Sequence, residues 1–495
     1  MKSSGCDILL IYPGGQMPKP RLPMSVLVLA THCKSQGYKC KIIDERINYL
    51  SDDDIKSAGI IGISTMSGLQ LKSAIKTAKR IKDIRPSVPL IWGGVHPTSF
   101  PKQTAKSQLV DCVVKGEGEK PFLQLCDKIF NNKDYSEVVA LTFERDGQII
   151  DNQVADNWIN IEELKFPNYD LLDIKKYADY EDGLSYETSR GCPFRCTFCY
   201  VENFHKRQWR GKSVDKVIRD ITRIKNDIGV KKLVFVDDNF FGNKKRSLDI
   251  CSQMSAKNIE LRWNATARAD FLAGCSEFDM KRLKNSGCEI LSIGAESGSA
   301  SILTKVKKDI TTDQTKQAVA KCVENNIMPT VSFMIGLPFE KDSDLEDTML
   351  LADQLMNMGK NVEINGLFIY VPYVGTSLFE TALSYGYKPK NSLEKWSDWS
   401  FSDSRNNPWI KPRQRGKYDV ISAIARFKYL YHRFEYYSAA YRKEKLKSPI
   451  ARIAYRILIK PFARIVDWRW RNRYFAFAIE ISIWKWLTYR MFKVK

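Results

Sequence analysis

Gly191-Cys192-Pro193-Phe194-Arg195-Cys196-Thr197-Phe198-Cys199-Tyr200 sets three cysteines in the spacing Cys-x3-Cys-x2-Cys. A loop this short can wrap one iron–sulfur cluster, yet such clusters are ordinarily closed by four thiolates. No fourth cysteine lies nearby, the next along the chain being Cys251. One iron is therefore expected to stay open to a ligand that is not a side chain. The competing readings are a zinc site completed from afar and three unrelated thiols.

Downstream of the loop, β-rich runs at 184–189, 232–237, 261–267, 289–295, 329–335 and 362–371 alternate with helix-length segments. That alternation predicts a partial, TIM-like (β/α)6 barrel of parallel strands. Barrel chemistry gathers at the carboxyl ends of the strands. Asp237-Asp238-Asn239, Arg268 with Asp270, and Glu296-Ser297-Gly298 fall at three of those ends.

Upstream, the runs 7–13, 38–44, 58–65 and 88–94 are short and apolar, and the segment Leu69 to Ile84 between two of them has helix length. Continuous apolar strands alternating with helices indicate a doubly wound, Rossmann-like α/β domain, expected over residues 1–135. Ligands of such sheets sit at the carboxyl strand ends, near a reversal of strand order. Gly14 and Gly15, Ser64 with Met66, Gly93-Gly94 and Gly116-Glu117 lie there. No Gly-x-Gly-x-x-Gly or phosphate loop accompanies them, which weighs against a nucleotide. Residues 136–180 read as a linker, 181–400 as the barrel and 401–495 as a basic helical extension.

This order of parts resembles the cobalamin-dependent radical S-adenosylmethionine (SAM) family. The three-cysteine loop with its Glu187–Gly191 approach carries the resemblance, and Ser64-x-Met66 with Gly93-Gly94 is similar to the cobalamin fold's Ser-x-Leu and Gly-Gly elements. One element departs: the Asp-x-His-x-x-Gly motif that ligates cobalt is replaced by Tyr12-Pro13-Gly14-Gly15-Gln16. Cobalt would then carry no protein imidazole. Of the domain's two histidines, His32 and His96, the better placed His96 is expected to be structural.

The resemblance implies a 4Fe–4S cluster on Cys192, Cys196 and Cys199, with SAM chelating the open iron. It implies that Asp237, Asp238 and Asn239 lie near the SAM amine and that Glu296 and Ser297 form a polar pair. Arg268 is the candidate for the SAM carboxylate, because a guanidinium matches that group with two parallel bonds. Phe198 and Tyr200 are candidates to flank adenine. Gly14, Gly15, Ser64, Met66, Gly93, Gly94, Gly116 and Glu117 are the cobalamin set. The implied activity is reductive SAM cleavage to a 5′-deoxyadenosyl radical and C-methylation of an unactivated carbon, with a flavodoxin or ferredoxin as electron donor. A cyclase or oxidative rearrangement enzyme with the same cofactors is the alternative. A non-catalytic, membrane-docked iron–sulfur carrier or sensor is the alternative of another class.

Nine further cysteines are scattered through predicted strands and helices, where a thiol behaves as a small apolar residue, so one cluster is expected. The N-terminus lacks the apolar stretch of a signal peptide, which points to the cytoplasm. Charge is uneven: residues 411–495 hold 22 Lys and Arg against 5 Asp and Glu, +17 of the formal +21. Basic helices rich in Trp and Phe suit either the inner face of the cell membrane, with a lipid-like or other small-molecule substrate, or a cap on the barrel. No nucleic-acid recognition fold accompanies the charge.

Overall fold

The computed structural model describes residues 6–15, 20–154, 158–399, 407–436 and 460–476. It consists of two compact units, the first of residues 1–193, 200–238 and 388–401, the second of 194–199, 239–387 and 402–495.

The first unit opens with β1 (Ile8–Tyr12), β2 (Cys40–Asp44), β3 (Ile60–Ser64), β4 (Leu90–Gly93) and β5 (Cys112–Val114). These parallel strands are fully apolar at their centres because helices cover both faces. The helix Leu69–Ile84 buries Leu71, Ala74, Ile75, Ala78 and Ile81, a single stripe at helical spacing. Strand order is β2-β1-β3-β4-β5, so the sheet reverses direction at β1, which pairs with both β2 and β3.

The sheet runs on past residue 135. β6 (Leu141–Arg145) pairs antiparallel with β5, and β7 (Gln148–Asp151) with β6. Asp146 and Gly147, both at positive φ, make the two-residue turn between them. Asp-Gly is a strong hairpin signal. The expected linker therefore contributes two strands, followed by the short turns Tyr169–Leu171 and Ile174–Lys176. The first unit also holds β8 (Leu184–Tyr186), β9 (Ser189–Arg190), β10 (Arg210–Gly211) and β11 (Lys232–Phe235), with β8 and β11 parallel and β9 and β10 antiparallel.

The second unit carries β12 (Arg262–Ala267), β13 (Cys288–Glu296), β14 (Met328–Ile335) and β15 (Glu363–Ile369), parallel neighbours in the order β15-β14-β13-β12. Strict alternation of burial along β14 gives the sheet one covered and one open face. Capping boxes at Ser276/Asp279 and Thr311/Gln314 start two of the intervening helices.

In the tail, the helix Pro412–Tyr436 lies against β15 and the helix Lys460–Arg471 lies against that helix. Tyr429 and Trp470 are buried 5.9 Å apart and Phe427 meets Phe462 edge-on at 4.5 Å, whereas Trp468 is exposed. Trp470 Nε1 donates to Asp353 Oδ2 at 2.7 Å, and Lys428 pairs with Asp467 at 2.8 Å. This part of the tail is a helical cap. Within the expected basic extension, residues 401–406, 437–459 and 477–495 lie outside the described residues. Among the described residues, no helix is long and apolar enough to cross a membrane.

Candidate active site

The cysteine loop is closed at its base. β9 and β10 pair across it, matching Arg190 with Arg210 and Ser189 with Gly211. Gly191 sits at φ +81°, and a Cβ there would lie 1.9 Å from the Gln208 carbonyl oxygen, so only glycine fits. The Gly191 N–H donates to Asp238 Oδ2 at 2.8 Å. Asp237, buried, accepts from the Thr188 N–H at 2.7 Å and from the Ser189 hydroxyl at 2.6 Å. Both aspartates, expected beside the SAM amine, anchor the stem of the loop through their carboxylates. Asn239 falls in the second unit, where its carbonyl accepts from the Gly242 N–H at 3.1 Å.

Cys196 and Cys199 belong to the second unit and are joined by a turn, Cys199 N–H to Cys196 O at 3.1 Å. Thr197 between them is held on both sides, its N–H by the Val306 carbonyl at 3.0 Å and its carbonyl by the Leu378 N–H at 2.8 Å. Arg268 reaches this turn. Its guanidinium stacks 3.5 Å from the Phe194 ring centre and its Nη1 lies 3.8 Å from Cys196 Sγ. Asp270 at 2.9 Å and the Lys308 carbonyl at 2.7 Å fix its other nitrogens. Expected at the SAM carboxylate, Arg268 thus stands beside a cluster ligand, where a cation favours the thiolate.

Lys308 Nζ pairs with Glu296 Oε1 at 2.8 Å. Burial works against its charge, but Glu296 and Cys196 outweigh burial and raise the ammonium above its usual range. Glu296 itself takes a left-handed backbone, φ +62°, unusual for a residue with a side chain. Phe198 lies 5.8 Å from Lys308 Nζ and packs on Ile302, Val306, Leu337, Tyr370 and Leu378. Ser297 does not pair with Glu296: its hydroxyl meets Thr348 at 2.9 Å and accepts the Ser299 N–H at 3.1 Å.

The loop fits an iron–sulfur cluster. Its three cysteines are half-buried, as are Cys6 and Cys40, whereas the other seven are buried. Burial pushes the thiols of Cys251 and Cys322 up to about 12 and that of Cys275 to about 11, so they stay protonated. Among the described residues, no three His, Cys, Asp or Glu side chains form a ready metal cage. The fit rests on three thiols in one short, pinned loop with Arg268 at hand.

A cavity of about 650 Å³ in the first unit opens at the carboxyl ends of β3, β4 and β5. Ser64, Gly93, Gly94, Gly116 and Glu117 line it, as expected of a cobalamin site. Gly94 requires glycine, since at φ +95° a Cβ would stand 2.8 Å from the Thr65 carbonyl. Trp92 also lines the cavity, and its buried indole N–H has no partner among the described residues. Gly14, Gly15 and Met66 are not on the wall. The Gly14 N–H is bonded to Glu45 at 3.2 Å and its Cα faces Ser73. The Met66 N–H is bonded to Gln70 at 2.8 Å and its side chain is exposed. His96 is buried with Nδ1 2.8 Å from Ser67 Oγ, and burial pulls it down to about 3. It is a neutral structural residue.

On the opposite wall, sequence reading missed Phe204 and His205 and assigned Tyr200 and Asp238 to SAM. Tyr200, Phe204 and His205 follow the third cysteine and line this cavity together with Glu187, Arg190 and Asp238. Arg190 is buried among Glu117 at 3.3 Å, Glu119 at 2.7 Å and Glu187 at 2.9 Å. Arg210 and His205 also meet Glu117. Burial opposes ionisation of Glu117, but His205, Arg190 and Arg210 together hold it at about 2. Glu187-x-x-Arg190 was visible beside the cysteines; its partners, about 70 residues upstream in Glu117 and Glu119, were not.

The radical SAM superfamily model matches residues 186–352, and the B12 binding domain model residues 19–126. An uncharacterized methyltransferase of Pyrococcus horikoshii is 30% identical over 393 residues, covering 76% of this chain and 83% of the relative. The anaerobic magnesium-protoporphyrin IX monomethyl ester cyclase of a Synechocystis is 24% identical over 71% of this chain and 74% of the relative. Among solved structures, the cobalamin-dependent SAM radical enzyme OxsB with aqua-cobalamin and SAM bound shares the fold at a TM-score of 0.65, with 19% identity over 93% of this chain and 75% of that one. The chain belongs to the cobalamin-dependent radical SAM enzymes, in a group of methyltransferases that includes cyclase relatives, and its cofactors are a 4Fe–4S cluster, SAM and cobalamin.

Proposed function

We propose that the protein transfers a methyl group to an unactivated carbon of a small-molecule substrate. One observation carries the reading: the wall of the first unit's cavity includes Tyr200, Phe204 and His205, directly after the third cluster cysteine. The cobalamin cavity and the stem of the cluster loop are parts of one unit. When bound, the cluster and SAM supply a 5′-deoxyadenosyl radical and cobalamin supplies the methyl group.

The chain's own residues do the rest. Arg268 favours the thiolate at Cys196, and the Lys308–Glu296 pair puts a fixed dipole beside Phe198. The buried Arg190 network holds four carboxylates apart from bulk water, since Asp238 also meets His205. The likeness to the methyltransferase of Pyrococcus horikoshii supports methyl transfer; the likeness to the cyclase supports the second reading, ring closure without methyl transfer. A lipid-like substrate and a membrane contact rest on residues 437–459 and 477–495, because the described tail helices turn their buried aromatics onto the protein. An acidic flavodoxin or ferredoxin is the proposed electron donor.

The test is anoxic incubation of the reconstituted, reduced protein with SAM and analysis of both SAM-derived products. Methyl transfer predicts S-adenosylhomocysteine together with 5′-deoxyadenosine, and both lost in Cys196→Ala. Deoxyadenosine alone favours the cyclase reading, and neither product contradicts both.

A further inference from the structure

His205 has no part in the expected site, yet it stands where three features of the first unit meet. It is buried at the end of the helix Val201–His205, with Nδ1 3.1 Å from Glu117 Oε1 and Nε2 3.5 Å from Asp238 Oδ2. Glu117 belongs to the cobalamin cavity, in the turn after β5. Asp238 receives the N–H of Gly191, the residue before Cys192, through the same Oδ2. The His205 carbonyl accepts the Gln208 N–H at 2.7 Å, which sets the Gln208 carbonyl against the Gly191 Cα.

We propose that His205 is a positioning residue that ties the cluster loop to the cobalamin cavity, so that the setting of the iron–sulfur cluster depends on whether that cavity is filled. The inference rests on the reading that this loop holds the cluster and this cavity the cobalamin. The chain Glu117–His205–Asp238–Gly191 is continuous in charge and hydrogen bonding. The ring stands between the two carboxylates, with Arg210 Nη2 also 3.5 Å from Nδ1. Arg190 and Arg210 also face Glu117, and Trp158 packs on the ring at 5.9 Å. A ligand that displaces Glu117 therefore alters the pull on His205, on Asp238 and on the amide that leads into Cys192.

Geometry favours a lever over a mere brace. β9 and β10 already close the loop at Arg190 and Arg210, so the His205 link is not needed to form the turn. It is the contact by which a change at Glu117 would reach Gly191. Cobalt ligation is a separate role for the imidazole, and it would show in the spectrum of cobalamin instead of the cluster.

The experiment compares the whole chain with His205→Gln and Glu117→Gln, each reconstituted anoxically with iron and sulfide, with and without hydroxocobalamin. Iron content, thermal midpoint and cobalamin binding are measured first, and the electron paramagnetic resonance spectrum of the dithionite-reduced cluster in the absence of SAM second. Filling the cavity is expected to shift the cluster spectrum of the unaltered protein. In His205→Gln, at a hydroxocobalamin concentration that fills its own cavity, the shift should be lost. A shift retained in His205→Gln overturns the proposal, as does an unaltered protein whose spectrum ignores cobalamin. Should His205→Gln lose iron, Glu117→Gln reads the same coupling from the other end, and an intact shift there also overturns it. Absence of any cluster from the unaltered protein would instead refute the underlying reading of the loop.

Discussion

At the level of single residues, the site separates cysteines by environment. Cys251 is fully buried and its thiol is pushed up to about 12, whereas Cys192, Cys196 and Cys199 are half-buried on the pinned loop. Replacing any loop cysteine by alanine should abolish the cluster's visible absorption and SAM cleavage; Cys251→Ala should preserve both. Gly191→Ala forces a Cβ into the Gln208 carbonyl and a side chain into a left-handed backbone, so it should cost about 1–3 kcal/mol and lower iron content, read by denaturant unfolding and iron assay. Arg190→Ala removes the ion-pair partner of Glu119 and Glu187, leaving Glu117 its contacts with Arg210 and His205, and should cost about 3–5 kcal/mol. The cysteine spacing was legible because it is local and its chemistry has few alternatives. The roles of Asp237, Asp238 and Ser297 were not, because a polar residue at a strand end can face a ligand or satisfy a neighbouring amide, and only their partners Thr188, Gly191 and Thr348 decide which.

Among elements, the antiparallel pair β9–β10 and the helix Pro412–Tyr436 do work that periodicity does not reveal. Tyr418 on that helix donates to Glu340 at 3.2 Å, and the Gly336 N–H also donates to this carboxyl. Burial raises Glu340 to about 7, its Oε1 having no partner. The folded state then holds a proton that the unfolded chain releases near the ordinary Glu value, so this group's contribution is full at low pH and declines as pH rises through about 7. Thermal melting between about pH 5 and 8 should show that decline in the unaltered protein and a flatter profile in Glu340→Gln. Most strands could be read from apolar runs. β6 and β7 were read as linker because their faces are partly exposed and short, although the Asp146-Gly147 turn between them was a local signal.

At the scale of the whole molecule, the tail's charge masks a packed interior. Trp470 is fully buried beside Tyr429 and bonded to Asp353. Trp470→Ala should therefore cost about 3–5 kcal/mol in denaturant unfolding, as removal of a core residue does. A surface-bound amphipathic helix would show almost no loss. Composition placed the +17 charge in the tail correctly but could not say where its aromatics point, since that depends on the surface that β15 and Asp353 offer. The most direct test of methyl transfer uses SAM carrying a trideuterated methyl group. Reduced, reconstituted protein is incubated with this SAM and cob(II)alamin, and the cobalamin is recovered in the dark for mass spectrometry. The account predicts trideuteromethylcobalamin alongside 5′-deoxyadenosine; deoxyadenosine with cobalamin that has gained no label would contradict it.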